Sequence, residues 1–440
     1  MKKNISLSII IQYLLLMINP ILSIFFVMYQ FILNRKVSAF VIAFSISLIF
    51  IYLPLMYDTS SNYYATFSLQ NSDHSYFEIR LYNSFAFLLK KYFDIDFMYF
   101  ILLTSTFSIY LWIKISNNYN NLIIANNNKI YIFMFVFFSI IYRDIMDLNR
   151  FYFATSIFLF ILFIYDNKQL KFRNYPIFLF LSIIAIEIHS ATIIFILLFM
   201  SVYFFKLRFI YSYWYPILML LFGIISQNIL LTILDLPIIN TLDFVQLGKS
   251  YLSSENKWGV GSLNLYDKMQ RFLEIIAFLV IFILGNKLLK TDTYKNDKVI
   301  KFSLLFIGIV LFFISYKSLY ERYSLALFLF FSFVIYKSLL GNKVINIFQT
   351  IFLITLILRF TLINFFMYGI IFTDKYMEIL PNSNKKEEMI LKPFYLFTPY
   401  LLDLKEHGYS DKYIRNESTR GRKYLHKYSL NPALRGINLE

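Results

Sequence analysis

The chain has 440 residues, of which 59% are hydrophobic, 21% aromatic and only 15% charged. Soluble domains carry about 25% charged residues, so this chain lacks the polar groups to cover itself and a water-soluble globule is excluded. The net charge of +16 is spread over short loops, which points to membrane topology and anionic lipid rather than to nucleic acid, and no nucleic-acid partner is expected.

In chain order, apolar runs fall at 6–32, 37–56, 97–114, 130–142, 151–165, 175–187, 190–205, 213–235, 272–289, 301–316, 323–340 and 347–371. They are continuous rather than alternating, as in Ile132–Ile141 and Phe302–Ser315, so they predict helices and not barrel strands. The fold class is therefore all-α, a polytopic integral membrane protein with about 12 transmembrane helices. Met1-Lys2-Lys3 resembles the start of a signal peptide, but the apolar stretch behind it is too long and lacks a small-residue cleavage site. An uncleaved first helix over 6–32 is expected.

Between the spans, 57–96 contains an amphipathic helix around Phe77–Phe93, and 236–271 is the longest loop. Residues 1–372 form a membrane domain and 373–440 a polar, basic C-terminal tail. With 11 glycines and none four apart within a span, helix packing must rest on Phe, Ile and Leu. If 175–205 is a helical hairpin, sixteen Lys and Arg of short loops lie on one side against thirteen on the other. The first side is then cytoplasmic, and the tail lies outside. If 175–205 is one long helix, everything after it inverts. The hairpin is the preferred reading.

Chemistry at a membrane surface needs polar groups, and few are available. Arg143, Asp147 and Arg150 share one helical face, and two guanidiniums beside a carboxylate suit phosphate or pyrophosphate; an interfacial ion-pair cluster is the plainer reading. Glu187 and His189 interrupt an apolar stretch, where either could be a general base or part of a turn. Arg322 opens a late span as a phosphate ligand or a topological anchor, while Arg359 lies deep enough in its span to face a polar cavity. Asp58 and Tyr63-Tyr64 open the first outer loop as carbohydrate contacts or an ordinary loop start. Asp94-Ile95-Asp96 matches a metal-binding D-x-D pattern only weakly. The absence of cysteine, the scattered His74, His189, His407 and His426, and the lack of nucleotide-binding or zinc motifs leave no metal or cofactor expected.

The order of short motifs resembles the EpsG-like group of bacterial O-antigen and capsular polysaccharide polymerases, the Wzy-type enzymes. Asp58-Thr-Ser-Ser-Asn-Tyr63-Tyr64 is followed by Glu78-Ile-Arg-Leu-Tyr82, then Arg150-Phe-Tyr-Phe-Ala154, then Ile188-His189-Ser190-Ala191, and finally Arg322-Tyr323. The resemblance covers roughly 40–340. It implies a metal-independent, inverting glycosyltransferase of GT-C-like membrane architecture in the bacterial cytoplasmic membrane, with its active site facing the exterior. The implied donor is a growing glycan on undecaprenyl pyrophosphate, and the acceptor is one lipid-linked repeat unit. Arg150, Arg322 and Arg143 would then bind the donor pyrophosphate, with His189 or Glu187 as base. Arg359, Asp58, Tyr63 and Glu78 are the further substrate-binding expectations, and a chain-length regulator is a further partner. A lipid-linked oligosaccharide flippase and an O-antigen-type ligase remain the alternatives.

Overall fold

The computed structural model describes residues 7–33, 36–52, 59, 62–63, 66, 81–123, 126–168, 175–225, 265–340, 345–363 and 392–404. Among them there is no strand. Four helices are long and apolar enough to cross a bilayer, Phe97–Asn120, Asp267–Leu289, Lys298–Ser315 and Lys317–Leu339. Apart from the 20-residue helix Asn149–Lys168, the other bundle helices among the described residues have 12–15 residues and rise only about 18–22 Å, less than the ~30 Å hydrocarbon core.

The chain opens with α1 (Leu7–Ile18) and α2 (Pro20–Ile32). They form a hairpin in which Ser8 Oγ donates to Gln30 Oε1 at 3.2 Å. The single helix expected over 6–32 is thus two. Proline disfavours helix at the residue before it and lacks the N–H a continuing helix would need. Asn19 turns that break into a cap, its side chain accepting from the amides of Ile21 and Leu22 at 2.8 and 3.2 Å.

Next come α3 (Ala39–Phe50), the amphipathic α4 (Leu81–Phe93), α5 (Phe97–Asn120), α6 (Asn126–Ser139), the one-and-a-half-turn α7 (Tyr142–Asp147) and α8 (Asn149–Lys168). Then follow α9 (Tyr175–Ile188), α10 (Thr192–Phe204) and α11 (Trp214–Ile225). The bundle closes with α12 (Leu265–Leu289), α13 (Lys298–Phe312), α14 (Lys317–Leu339) and α15 (Ile347–Thr361). A short α16 (Thr398–Leu401) follows.

The expected hairpin over 175–205 is present. Phe178 of α9 meets Phe199 of α10, ring centroids 6.1 Å apart, as two antiparallel helices turning at His189 require. Leaving aside α4, α7 and α16, the thirteen bundle helices among the described residues run alternately up and down. The chemistry-bearing residues therefore gather at one end, which holds the start of α8, α12 and α14, the α9–α10 turn and the close of α15.

Nearly everything surrounds α14, whose residues from Tyr323 to Leu339 are all buried. A helix that is apolar all round belongs in the middle. Single glycines allow two close approaches. Gly308 on α13 lies under Tyr215 of α11, and a Cβ there would stand 2.2 Å from the phenol oxygen. At Gly223 a Cβ would stand 2.4 Å from the Phe312 carbonyl oxygen.

The end opposite the site is closed by charge. Lys337 of α14 binds Asp297 at 2.5 Å and also Asp166 of α8, which in turn accepts from the Tyr119 hydroxyl. All three charged groups are largely buried, with Lys337 only 5% exposed.

The segment 392–404 packs on the site end. Asn19 donates to the carbonyls of Pro393 and Leu396, both at 2.9 Å, Tyr52 to Leu401 at 2.5 Å and Tyr99 to Leu402 at 2.8 Å. This part of the expected tail is docked on the helices; the expected boundary at 373 lies outside the described residues.

Candidate functional site

Arg150 is placed by the residue before it. Asn149 is buried at the first position of α8, and its amide is fully used. Oδ1 accepts from Tyr82 at 2.7 Å and Thr104 at 2.6 Å, while Nδ2 donates to Ser105 at 2.6 Å and to the Ile145 carbonyl at 3.1 Å. One side chain therefore ties α4, α5, α7 and α8 together, and Arg150 follows as the second residue of α8. Burial pushes the Tyr82 phenol above its ordinary range, and the Arg150 charge opposes that shift.

His189 sits at the α9–α10 turn, 6% exposed. Its Nδ1 accepts from the Ala191 amide at 3.2 Å, and Thr192 Oγ1 donates to its carbonyl at 2.8 Å. With Nδ1 accepting, a neutral ring carries its proton on Nε2. That is a histidine whose Nδ1 and carbonyl both hold the turn. The ring meets Phe151 edge-on at 5.2 Å. On the other side, Tyr323 donates to the Ala191 carbonyl at 3.4 Å. The residues next to Arg150 and next to Arg322 thus meet the same turn.

Glu187 does not join them. It is exposed on α9 in line with Ile183 and Phe180, which are 58% and 63% exposed. As a partner for His189 it is on the wrong face of the helix.

Below the turn lies a charged floor. Arg359 and Glu274 are both fully buried and paired, Nε to Oε1 at 2.7 Å. The Arg359 guanidinium lies 4.0 Å over the ring of Phe328. Gln270 also donates to Glu274 Oε1, at 3.0 Å. Arg271 donates to the Ile314 carbonyl and lies 4.9 Å over the Tyr320 ring. Lys317 is bridged to Asp267 at 2.9 Å. Glu321, partly buried, feels Lys317, Arg271, Asp267 and Asp144, yet no hydrogen bond or ion pair reaches its carboxylate among the described residues. Where the sequence led to the expectation of a polar cavity, Arg359 is instead paired with an acid on the neighbouring helix. Glu274, Arg271 and Glu321 were not singled out as site residues in the sequence. The signal for Glu274 was there, an acid inside an apolar helix.

Several expected positions are not gathered here. Asp58 and Glu78 lie outside the described residues, as do the side chains of Arg143 and Asp147. Tyr63 is fully buried, its ring 5.7 Å from Phe97, as a core residue would be. Asp94 and Asp96 both bind Lys90, at 2.8 and 2.5 Å, and Asp94 takes the left-handed conformation with φ 50° that turns α4 into α5. The D-x-D pattern is a turn staple. Among the described residues no group of acids and histidines could hold a metal ion.

The bundle and the charged residues gathered at one end of it define a multi-helix membrane protein with a polar site at one end. The EpsG family model matches residues 56–384, three quarters of the chain, and the protein belongs to that family. It is accordingly a membrane protein of polysaccharide biosynthesis. Comparison with curated proteins and with solved structures returned no match.

Proposed function

We propose that the chain is a polysaccharide polymerase of the Wzy type, an inverting glycosyltransferase in the bacterial cytoplasmic membrane with the Arg150 end facing the exterior and a GT-C-like helical architecture. The observation that carries this reading is the meeting of the Arg150, Arg322 and His189 segments at one end, within the span that the family model matches. Basic residues support this orientation. Lys287, Lys290, Lys295, Lys298 and Lys301 crowd the opposite end, and α1 also starts there, beside Lys36, whose carbonyl accepts from Gln12 at 2.9 Å.

In the reaction, the acceptor sugar hydroxyl attacks the anomeric carbon of the growing glycan. A glycosidic C–O bond forms as the bond to undecaprenyl pyrophosphate breaks, and that lipid leaves with the electron pair. Arg150 and Arg322, with Arg143, offer bidentate donors to the charge that develops on the leaving group. The hydroxyl proton passes to a carboxylate, and Glu321 is an acid at this end whose carboxylate no hydrogen bond or ion pair reaches among the described residues. His189 shapes the turn between the two arginines. Lys337 and its partners tie α14 to Asp166 and Asp297 at the opposite end, which favours an enzyme over a flippase.

The test is the surface-glycan ladder of a deletion strain restored with wild type, Arg150→Ala or Arg322→Ala. A single capped repeat unit on deletion, with the ladder returned by wild type alone, supports the reading. Loss of even the single unit, with intact lipid-linked repeats accumulating, contradicts it and leaves a flippase or a ligase.

A further inference from the structure

Residues 393–402, Pro-Phe-Tyr-Leu-Phe-Thr-Pro-Tyr-Leu-Leu, are an uncharged, aromatic-rich stretch between Lys392 and Asp403. The stretch is too short to cross a bilayer and suits a segment lying at its surface. Its backbone is tied down while its rings face outward. Phe394, Tyr395 and Phe397 are 61%, 61% and 57% exposed, whereas Pro393, Thr398 and Leu401 are buried.

Beneath the segment lies the α1–α2 turn at Asn19-Pro20. Helices of 12 and 13 residues rise only about 18–20 Å. The turn therefore stops roughly 10 Å short of the far side of the ~30 Å hydrocarbon core. Met17, Ile18 and Leu22 are exposed around it, so the apolar surface of the hairpin continues up to the turn. Backbone groups at that depth have no water to bond and must be satisfied within the protein. Pro20 has no N–H to offer the Leu16 carbonyl, and the Thr398 hydroxyl donates to it instead. Asn19 accepts from the amides of Ile21 and Leu22 and donates to the carbonyls of Pro393 and Leu396, both at 2.9 Å. Residues 393–398 thus satisfy the polar atoms of a turn inside the membrane and carry its apolar surface outward.

We propose that residues 393–398 form an interfacial anchor, with Phe394, Tyr395 and Phe397 set into the headgroup–acyl boundary of the leaflet at the site end. Aromatic rings favour that level, and Lys392 snorkels from it toward the headgroups. From Tyr400 onward the segment leaves the hairpin and runs over the end of the bundle. There the Leu401 carbonyl accepts from Tyr52, just past α3, and the Leu402 carbonyl from Tyr99 of α5. Tyr400 therefore faces water. Exposed rings also suit a sugar surface, but the short hairpin beneath 393–398 and its apolar flanks select lipid. The anchor needs only that the helices span a bilayer, and it stands apart from the polymerase reading.

Because the chain has no cysteine, Phe394→Cys, Phe397→Cys and Tyr400→Cys can each carry an environment-sensitive NBD label on the full-length protein in liposomes. The first two labels should emit at shorter wavelength than the third and resist quenching by aqueous iodide. They should also lose more emission to lipid nitroxides held near the headgroup than to nitroxides near the acyl end. Iodide quenching of the first two as strong as that of the third overturns the anchor. So does a blue shift at Phe394→Cys and Phe397→Cys that appears only on adding a soluble oligosaccharide, which would make the rings a sugar surface. Thr398→Val supplies a check that needs no label. It leaves the Leu16 carbonyl without a donor, so the thermal midpoint in nanodiscs should fall. An unchanged midpoint would show that water reaches the turn, and it too overturns the anchor.

Discussion

At the scale of the residue, burial and hydrogen bonding separate groups that look alike in the sequence. Glu187, Glu274 and Glu321 all interrupt or border apolar runs. Glu187 points outward, Glu274 is locked to Arg359, and of the three only Glu321 has a carboxylate at the site end that no hydrogen bond or ion pair reaches among the described residues. Glu321→Gln should therefore abolish chains longer than one repeat while the protein stays at wild-type abundance in the membrane, and Glu187→Gln should leave the ladder intact. A normal ladder from Glu321→Gln would remove it as proton acceptor. His189→Asn offers a second check. Asparagine can accept from an amide two residues on, as His189 Nδ1 does from Ala191. The ladder is expected to survive His189→Asn and to shorten in His189→Ala; loss in both would return the histidine to a direct role.

The arginines were legible because a guanidinium near a membrane has few reasons to be there. Arg359 in particular is marked by its depth alone. Asn149 was not legible, since an asparagine before an apolar run reads as an ordinary helix start and its four partners come from three other elements. Asn149→Ala should strand the Tyr82 hydroxyl, while Thr104 keeps the Phe100 carbonyl at 2.9 Å, and lower the thermal midpoint by several degrees, with each lost buried bond worth about 1 kcal/mol.

At the scale of the element, the breaks in the apolar pattern decided what could be read. The hairpin over 175–205 was foreseeable because Glu187, His189 and Ser190 interrupt it, and the fold turns there. The α1–α2 break was written as plainly in Asn19-Pro20, but the strongly apolar flanks of 6–32 concealed it. Close packing of α11 on α13 was hidden because one glycine makes it and no repeat announces it. Gly308→Ala would drive a methyl group into Tyr215, whose hydroxyl donates to Leu305 at 2.8 Å. Overpacking of this kind costs typically 1–3 kcal/mol, so this variant should unfold at lower temperature than wild type, and an unchanged midpoint would show that α11 can shift. Lys337→Met should cost about 3–5 kcal/mol by leaving Asp166 and Asp297 buried without their cation. Adding Asp166→Asn and Asp297→Asn to it should recover much of the loss, as measured by detergent-phase thermal melting.

At the scale of the whole molecule, alternation of the thirteen bundle helices among the described residues puts Ser190 and the 392–404 segment at one end and Thr293 at the other. The chain has no cysteine, so each introduced one reports alone. Ser190→Cys and Tyr400→Cys, both at exposed positions, should react with a membrane-impermeant maleimide in intact cells, and Thr293→Cys should react only after lysis. The reverse pattern would invert the orientation and place the site in the cytoplasm. Which end holds the site follows from helix direction, and that could be counted in the sequence only to within the ambiguities at 6–32 and 175–205. The site floor, assembled from α12, α14 and α15 across about ninety residues, depends on which helices are neighbours, and no local pattern encodes that.

The most direct measurement is elongation by the purified protein in vesicles supplied only with undecaprenyl-diphosphate-linked repeat units. A polymerase converts them into a ladder of longer lipid-linked glycans, releasing one undecaprenyl diphosphate per new linkage, and Arg150→Ala in the same vesicles does not. Repeat units that cross to the opposite leaflet unchanged in length, with no undecaprenyl diphosphate released, would contradict the account and make the protein a transporter.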